Sequence, residues 1–172
     1  MSEYDPGTED HGSYDEPQYD DHSGHDDPNV IVAQYTDGSQ IGVADYDHDG
    51  YADVLATDHD GDGRPEDVYT DEYGGPALDT HYYDHNEDGR PELVTADRNE
   101  DGYVDAAAAD TDHDGYLDTA AFDNNFDGRV DQVQFDPDED GNIDRTITDT
   151  DFDGVADTVH YGDPDTNPYT RA

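Results

Sequence analysis

Short apolar runs alternate with longer polar stretches along most of the chain. Near the start, two β-prone runs flank Asp37-Gly38, a pair typical of a two-residue β-hairpin turn because both turn positions need a positive φ. Beyond this hairpin, brief apolar segments recur, as in Val54-Leu55-Ala56 and Val133-Gln134-Phe135. They are too short for helices and typical of short strands. The pattern predicts an all-β protein.

The polar stretches are copies of one unit that recurs every thirteen residues. An aspartate opens a unit at positions 45, 58, 71, 84, 97, 110, 123, 136 and 149, and eight of these nine units fit D-x-[DN]-x-D-G-x-x-[DE]. The unit at 71 is degenerate, with Tyr73 and Gly75 at its third and fifth positions. So strict a period indicates one structural unit used repeatedly.

The repeat divides the chain into four segments. Residues 1–28 are acidic and lack periodic apolar positions, which predicts a disordered tail. Residues 29–44 form the predicted capping hairpin, residues 45–161 hold the nine repeats, and residues 162–172 form a truncated repeat or tail.

Composition makes folding without a ligand unfavourable. The formal net charge is −43 and only 30% of residues are apolar, values typical of a disordered chain unless a ligand supplies free energy. All six basic residues are Arg, so nucleic acid would be repelled, and the lack of Cys excludes disulfides and zinc–thiolate sites. No apolar run approaches the roughly 20 residues of a membrane span. The N-terminus has no secretory signal, which predicts the cytosol by default and leaves leaderless export or the cell surface open.

The acidic positions of the unit have the spacing of a calcium loop. Ca²⁺ takes about six to eight oxygen ligands. Carboxylates at positions 1, 3 and 5 converge while positions 2 and 4 point outward, and Gly at position 6 permits the turn that brings the carbonyl of position 7 onto the ion. The acid at position 9 closes the shell. An EF-hand is excluded because position 12 is never Glu and the gap between loops is too short for a helix.

About eight Ca²⁺ ions are therefore predicted. Their ligands are the side chains at positions 1, 3, 5 and 9 and the carbonyl at position 7 of each complete loop: Asp45, Asp47, Asp49, Tyr51, Asp53; Asp58, Asp60, Asp62, Arg64, Glu66; Asp84, Asn86, Asp88, Arg90, Glu92; Asp97, Asn99, Asp101, Tyr103, Asp105; Asp110, Asp112, Asp114, Tyr116, Asp118; Asp123, Asn125, Asp127, Arg129, Asp131; Asp136, Asp138, Asp140, Asn142, Asp144; Asp149, Asp151, Asp153, Val155, Asp157.

This loop resembles the calcium loops of thrombospondin type 3 repeats and of integrin-type propeller blades, in which the closing acid is also at position 9. The uninterrupted array is also similar to an uncharacterised family of acidic bacterial proteins with thirteen-residue repeats. The resemblance covers residues 45–161 and implies calcium binding. It implies neither one fold nor a known activity.

Two arrangements of the strands remain open. Position 8 is apolar in every unit, which predicts that the end of each loop turns inward. Two units per coil would stack the strands into two facing sheets, a β-solenoid or β-roll with calcium loops along both edges. The recurrence of Gly-Arg-Pro-Glu at 63–66 and 89–92 favours this coil. The alternative is a meander of antiparallel hairpins joined by the same loops.

The sequence predicts a non-enzymatic calcium-binding protein that folds with its ions and serves as a structural or interaction module or as a calcium buffer. No catalytic motif is present, and His48, His59, His85 and His113 occupy outward loop positions with no nucleophile recurring beside them. The guanidinium groups at position 7 are expected to brace neighbouring carboxylates. The alternative function is an acidic decoy that mimics nucleic acid and occupies a basic partner protein. No specific protein partner is predicted.

Overall fold

A computed structural model describes residues 29–162, so the predictions for residues 1–28 and 163–172 lie outside the described residues. Within this range no helix is long and apolar enough to cross a membrane. The described chain forms eleven strands: β1 (Asn29–Gln34), β2 (Gln40–Asp45), β3 (Val54–Asp58), β4 (Asp67–Thr70), β5 (Thr80–Tyr83), β6 (Leu93–Ala96), β7 (Ala106–Ala109), β8 (Thr119–Phe122), β9 (Gln132–Phe135), β10 (Arg145–Thr148) and β11 (Thr158–Tyr161).

All eleven strands belong to one antiparallel sheet, in which each strand pairs with its neighbours in sequence. The prediction of an all-β fold is confirmed. Of the two arrangements left open, the pairing is that of the hairpin meander. A two-unit coil would place every second strand side by side in two facing sheets, whereas the strands of residues 29–162 form a single sheet. The two Gly-Arg-Pro-Glu segments are 26 residues apart, which is two units and therefore the length of one complete hairpin in the meander.

The register places the same repeat positions on both faces of the sheet. In β7 and β8, Ala106 lies opposite Phe122 and Ala107 lies opposite Ala121. Position 10 of one unit therefore faces position 13 of the next, and position 11 faces position 12. Because side chains alternate along a strand, each face shows positions 10 and 12 from one strand and 11 and 13 from the next. Neither face is set apart as an interior.

Apolar side chains remain largely accessible because the described part of the chain forms no second layer on the sheet. Among residues 29–162, Ala44 is the only buried hydrophobic residue. The expectation that position 8 turns inward was wrong: Val104 is 55% exposed and Leu117 is 40% exposed. No facing sheet within residues 29–162 covers them. The buried residues are instead polar: Asp58, Glu66, Asp67, Asp79, Thr80, Asp105, Asp110, Asp118, Asp123, Asp131, Asp144 and Asp149.

The β1–β2 hairpin has a three-residue loop rather than the predicted two-residue turn. The Gly38 amide donates to the Tyr35 carbonyl at 3.2 Å, and the Tyr35 amide donates to the Ser39 carbonyl at 2.9 Å. Within this turn only Gly38 has a positive φ, of 104°. This is a type I turn followed by a left-handed glycine. Asp37 accepts hydrogen bonds from the hydroxyl and amide of Ser39, which lower the pKa of its carboxyl group.

Candidate metal centres

The thirteen-residue loops lie in two rows, one at each end of the strands, because successive loops of an antiparallel meander connect opposite ends of the strands. The first row contains the loops that open at 45, 71, 97, 123 and 149. The second row contains those that open at 58, 84, 110 and 136. Neighbouring loops of one row are two strands apart, which corresponds to about 9–10 Å.

Within a loop, carboxylates at positions 1 and 9 organise the main chain. In the loop that opens at Asp110, one carboxylate oxygen of Asp110 accepts from the His113 amide at 2.6 Å and the other from the Gly115 amide at 2.8 Å. Asp118 accepts from the Thr111 amide at 2.9 Å. Burial opposes ionisation of Asp110, but the backbone hydrogen bonds outweigh it and lower the pKa of this carboxyl group. The loop therefore holds Asp110 as an anion.

Backbone hydrogen bonds fix each loop to the sheet and to its row. The Asp118 amide donates to the carbonyl of Ala109 at 3.0 Å, which closes the loop at its base. The Asp110 amide donates at 3.0 Å to the carbonyl of Glu92, the position 9 residue of the preceding loop in the second row. The same two bonds recur along both rows. Position 9 of one loop is thus joined to position 1 of the next.

The structure gives the predicted ligands two different environments. In all eight complete loops, the residues at positions 3, 5 and 7 are exposed to solvent. Those at positions 1 and 9 lie at the base of the loop and are buried or half-buried, except Asp157, which is exposed. A cation in such a loop would contact buried carboxylates on one side and water on the other.

Several predicted ligands lie close enough together to hold a metal ion. Ligand atoms within 4.8 Å of one another come from positions 1, 3 and 9 in two loops and from positions 1, 3 and 5 in a third: Asp45, Asp47 and Asp53; Asp110, Asp112 and Asp118; Asp58, Asp60 and Asp62. The degenerate loop keeps Asp71 and Asp79, but its position 5 residue, Gly75, has no side chain to contribute.

Some carboxylate oxygens are buried without any hydrogen-bond donor. They are Oδ1 of Asp84 and Oε1 of Glu92, at positions 1 and 9 of one loop, and Oδ1 of Asp136 at position 1 of another. A buried charged oxygen that loses water and gains no partner is strongly destabilising. Within residues 29–162 no donor lies against these oxygens, so a cation would be a suitable partner for them.

Position 4 has a left-handed backbone in every complete loop, which the sequence did not predict. In seven loops the residue is not glycine, with φ between 55° at Glu139 and 64° at His48, and in the eighth it is Gly61. Left-handed conformations cost about 1–2 kcal/mol for residues other than glycine. In the sequence, this conformation is indicated only by Gly61, which occupies position 4 of the loop that opens at Asp58.

Glutamates at position 4 reach the neighbouring loop of their row. Glu87 lies with Asp60 and Glu66 of the preceding loop, and Glu139 lies with Asp112 and Asp114, in both cases with ligand atoms within 4.8 Å of one another. Burial, followed by repulsion from a nearby aspartate (Asp62 for Glu87 and Asp114 for Glu139), raises the pKa of both glutamates. These position 4 side chains, which were expected to point outward, thus lie against the neighbouring loop rather than in open solvent, because adjacent loops in a row are close enough to share carboxylates.

The degenerate loop receives a similar contribution. The carboxylate of Glu100, at position 4 of the next loop in the first row, lies beside Gly75, where a side chain at position 5 would begin. Glu100 thus places a carboxylate where the repeat has lost one. The loop still has Tyr73 at position 3 and Pro76 at position 6, so it lacks both an oxygen ligand and the flexible turn of the complete loops.

Arginine side chains also connect loops within a row. Arg64 donates to the carbonyl of Glu87 at 2.8 Å, and Arg90 donates to the carbonyl of Gly115 at 3.3 Å. These bonds go to main-chain oxygens rather than to the carboxylates that the sequence had suggested. The guanidinium of Arg90 also lies 4.5 Å from the ring centre of Tyr116. The arginines therefore link adjacent loops and leave these carboxylates available.

Comparisons with known proteins reveal no relative from which a function could be transferred. No family model, curated protein or solved structure matches this chain. The function must therefore be inferred from the loops themselves, whose clustered carboxylates could hold metal ions.

Glu139→Gln is expected to weaken one candidate calcium site. The substitution removes an oxyanion that lies beside Asp112 and Asp114, so the calcium affinity of that loop should fall by about tenfold. Calorimetric titration measures this loss. Glu72→Gln, in the degenerate loop, is the charge-matched control. Equal losses of affinity in both variants would contradict shared ligation.

Proposed function

We propose that this chain is a non-enzymatic calcium-binding repeat protein, with one Ca²⁺ in each of its eight complete loops. The observation that carries the proposal is the burial of carboxylates at positions 1 and 9 in a sheet that has almost no apolar core. Buried carboxylates persist only when they are paired, hydrogen-bonded or bound to a cation. Hydrogen bonds satisfy part of them, and Ca²⁺ supplies the remaining compensation.

The donor set favours calcium over other abundant cations. Every predicted ligand is an oxygen, which suits the hard cations Ca²⁺ and Mg²⁺ and disfavours ions that prefer nitrogen or sulfur. The exposed carboxylates at positions 3 and 5 leave room for water and for two-oxygen coordination by the acid at position 9. Ca²⁺ accepts this irregular shell, whereas Mg²⁺ demands a smaller octahedron.

The arrangement of the loops supports a structural role for the ions. Each loop is hydrogen-bonded to the next loop in its row. A cation held at the base of a loop would therefore stabilise the ends of the adjoining strands as well as the loop. Ions bound in the loops at both ends of the strands would leave the two faces of the sheet accessible. We therefore infer a calcium-stabilised structural or interaction module.

Equilibrium dialysis with metal analysis tests the proposal. The full chain should bind about eight Ca²⁺ ions, with no strong ninth site in the degenerate loop. Asp114→Ala removes a position 5 carboxylate and should abolish or weaken one site, while His113→Ala alters its exposed neighbour and should leave the count unchanged. Four or fewer tightly bound ions would contradict one ion per loop. Equal effects of the two variants would contradict the assigned ligands.

A further inference from the structure

Two departures from the repeat occur side by side in β4 and β5. Asp67 is the only acid at position 10 among the nine units, and His81 is the only histidine at position 11. Most other residues at these positions are apolar or hydroxyl-bearing strand residues. Neither departure belongs to a calcium loop.

The structure joins these two residues to a third. Nε2 of His81 lies 2.6 Å from Oδ1 of Asp67, and Nε2 of His59 lies 2.9 Å from Oδ2 of the same carboxylate. The Asp67 residue is buried, with 9% exposure, whereas the His59 side chain is 65% exposed. Two imidazole nitrogens from different elements thus converge on one carboxylate at a position that solvent can reach.

Aromatic contacts fix the orientation of His81. Its ring stacks on Tyr69 with centres 4.1 Å apart and an angle of 8° between the planes, and it meets the edge of Tyr83 at 6.0 Å. These contacts hold the ring so that Nε2 is directed at Asp67. His59, by contrast, is at position 2 of an exposed loop and can adjust. The oriented imidazole of His81, the buried carboxylate of Asp67 and the more exposed imidazole of His59 could together chelate a metal ion.

We propose that His59, Asp67 and His81 bind a divalent transition-metal ion of the zinc class, at a site that shares no ligand with the calcium sites. Zn²⁺ binds imidazole nitrogen and carboxylate oxygen at about 2.0–2.2 Å, so its ligand atoms lie roughly 3.3 Å apart. The observed nitrogen–oxygen separations of 2.9 and 2.6 Å would each have to widen by less than about 1 Å to reach this spacing. Each imidazole offers the Nε2 lone pair when its proton resides on Nδ1. Nitrogen donors also separate this site from Ca²⁺, which prefers oxygen.

The carboxylate of Asp67 supplies an oxygen ligand between the two imidazole nitrogens. A bound ion would connect the loop that opens at Asp58 to β4 and β5, beside the degenerate unit.

Zinc titration of the full chain in excess Ca²⁺ tests this site. We expect one tight equivalent of Zn²⁺, with affinity reduced at least about tenfold in His81→Gln and in Asp67→Asn. His160→Gln, which removes an exposed imidazole from β11, should retain the affinity of the unchanged chain. Zinc bound by the histidines of residues 1–28 would survive in His81→Gln. Absence of the tight equivalent, or equal affinities in His81→Gln and His160→Gln, would overturn the proposal.

Histidine NMR signals provide a readout that does not depend on any variant folding. With one equivalent of Zn²⁺, the imidazole signals of His59 and His81 should shift together, while those of His113 and His160 stay in place. Signals of His59 and His81 that do not respond would show a hydrogen-bonded cluster without a metal site. This result is independent of the calcium count, because it is read from imidazoles outside the predicted calcium ligands.

Discussion

Removing calcium is expected to unfold the sheet. With Ca²⁺ at 100 times the dissociation constant, each site adds about 2.7 kcal/mol, and a typical domain is stable by only about 5–15 kcal/mol in total. The sheet has almost no buried apolar residue to compensate for loss of the ions. The freed carboxylates would also repel one another. Far-UV circular dichroism should lose its strand signal in excess chelator and regain it with Ca²⁺.

Ionic strength and magnesium are the controls for this experiment. Sodium chloride screens the carboxylates without occupying the loops, so moderate salt should restore little of the strand signal. Mg²⁺ should restore less than Ca²⁺ at equal concentration, because its rigid octahedral shell fits the loops poorly. Full recovery in sodium chloride alone would show that charge screening, rather than ion binding, limits folding.

Gly102→Ala is expected to destabilise the chain and impair one calcium site. Gly102 has a φ of 92°, and its amide donates to Asp97 at 2.7 Å. An added Cβ would meet no atom within 4 Å, so backbone strain is the main cost. Strain of this kind costs about 1–3 kcal/mol. Thermal unfolding in saturating Ca²⁺ and calorimetric titration measure the two losses.

Gly42→Ala is the matched control for this substitution. Gly42 lies in β2 with no positive φ, and an added Cβ there also meets no atom within 4 Å. Replacing such a glycine restricts the unfolded chain and typically stabilises by about 0.4–1 kcal/mol. The two variants should therefore shift the unfolding temperature in opposite directions. A similar loss in both would mean that the left-handed turn at position 6 does not matter.

Much of the architecture could be predicted from the thirteen-residue period. Apolar segments too short for helices indicated strands, and the spacing of the aspartates indicated loops. The glycine at position 6, which has a positive φ in all eight complete loops, identified the sharp turn. Even Ala106–Ala109, four residues with high helix propensity, form a strand, because hydrogen bonds to β6 and β8 outweigh local preference.

The choice between coil and meander could not be made from one unit. A thirteen-residue unit is identical in either arrangement, and the difference lies in which strands become neighbours. The apolar residues at position 8, such as Val104, suggested an interior that a single-layer sheet does not have. In the meander, the same repeat positions lie on both faces of the sheet. The period of the sequence therefore does not indicate which face, if either, is buried.

The contacts between loops were missed for the same reason. Glu87 and Glu139 occupy a position that points away from its own loop, and only the pairing of strands shows that another loop lies there. The cluster of His59, Asp67 and His81 likewise joins residues from a loop and two strands. An acid at position 10 and a histidine at position 11 were visible departures from the repeat, but their proximity required the register of β4 and β5.

Small-angle scattering of the full chain, first in chelator and then in excess Ca²⁺, tests most directly whether ion binding folds this protein. In chelator we expect a radius of gyration near 44 Å, the value for an unfolded chain of this length, or larger because of charge repulsion. In Ca²⁺ the radius should fall toward about 16 Å, the value for a compact chain of this length, as the sheet forms. Equal dimensions in the two solutions would contradict calcium-dependent folding and show that other interactions hold the sheet together.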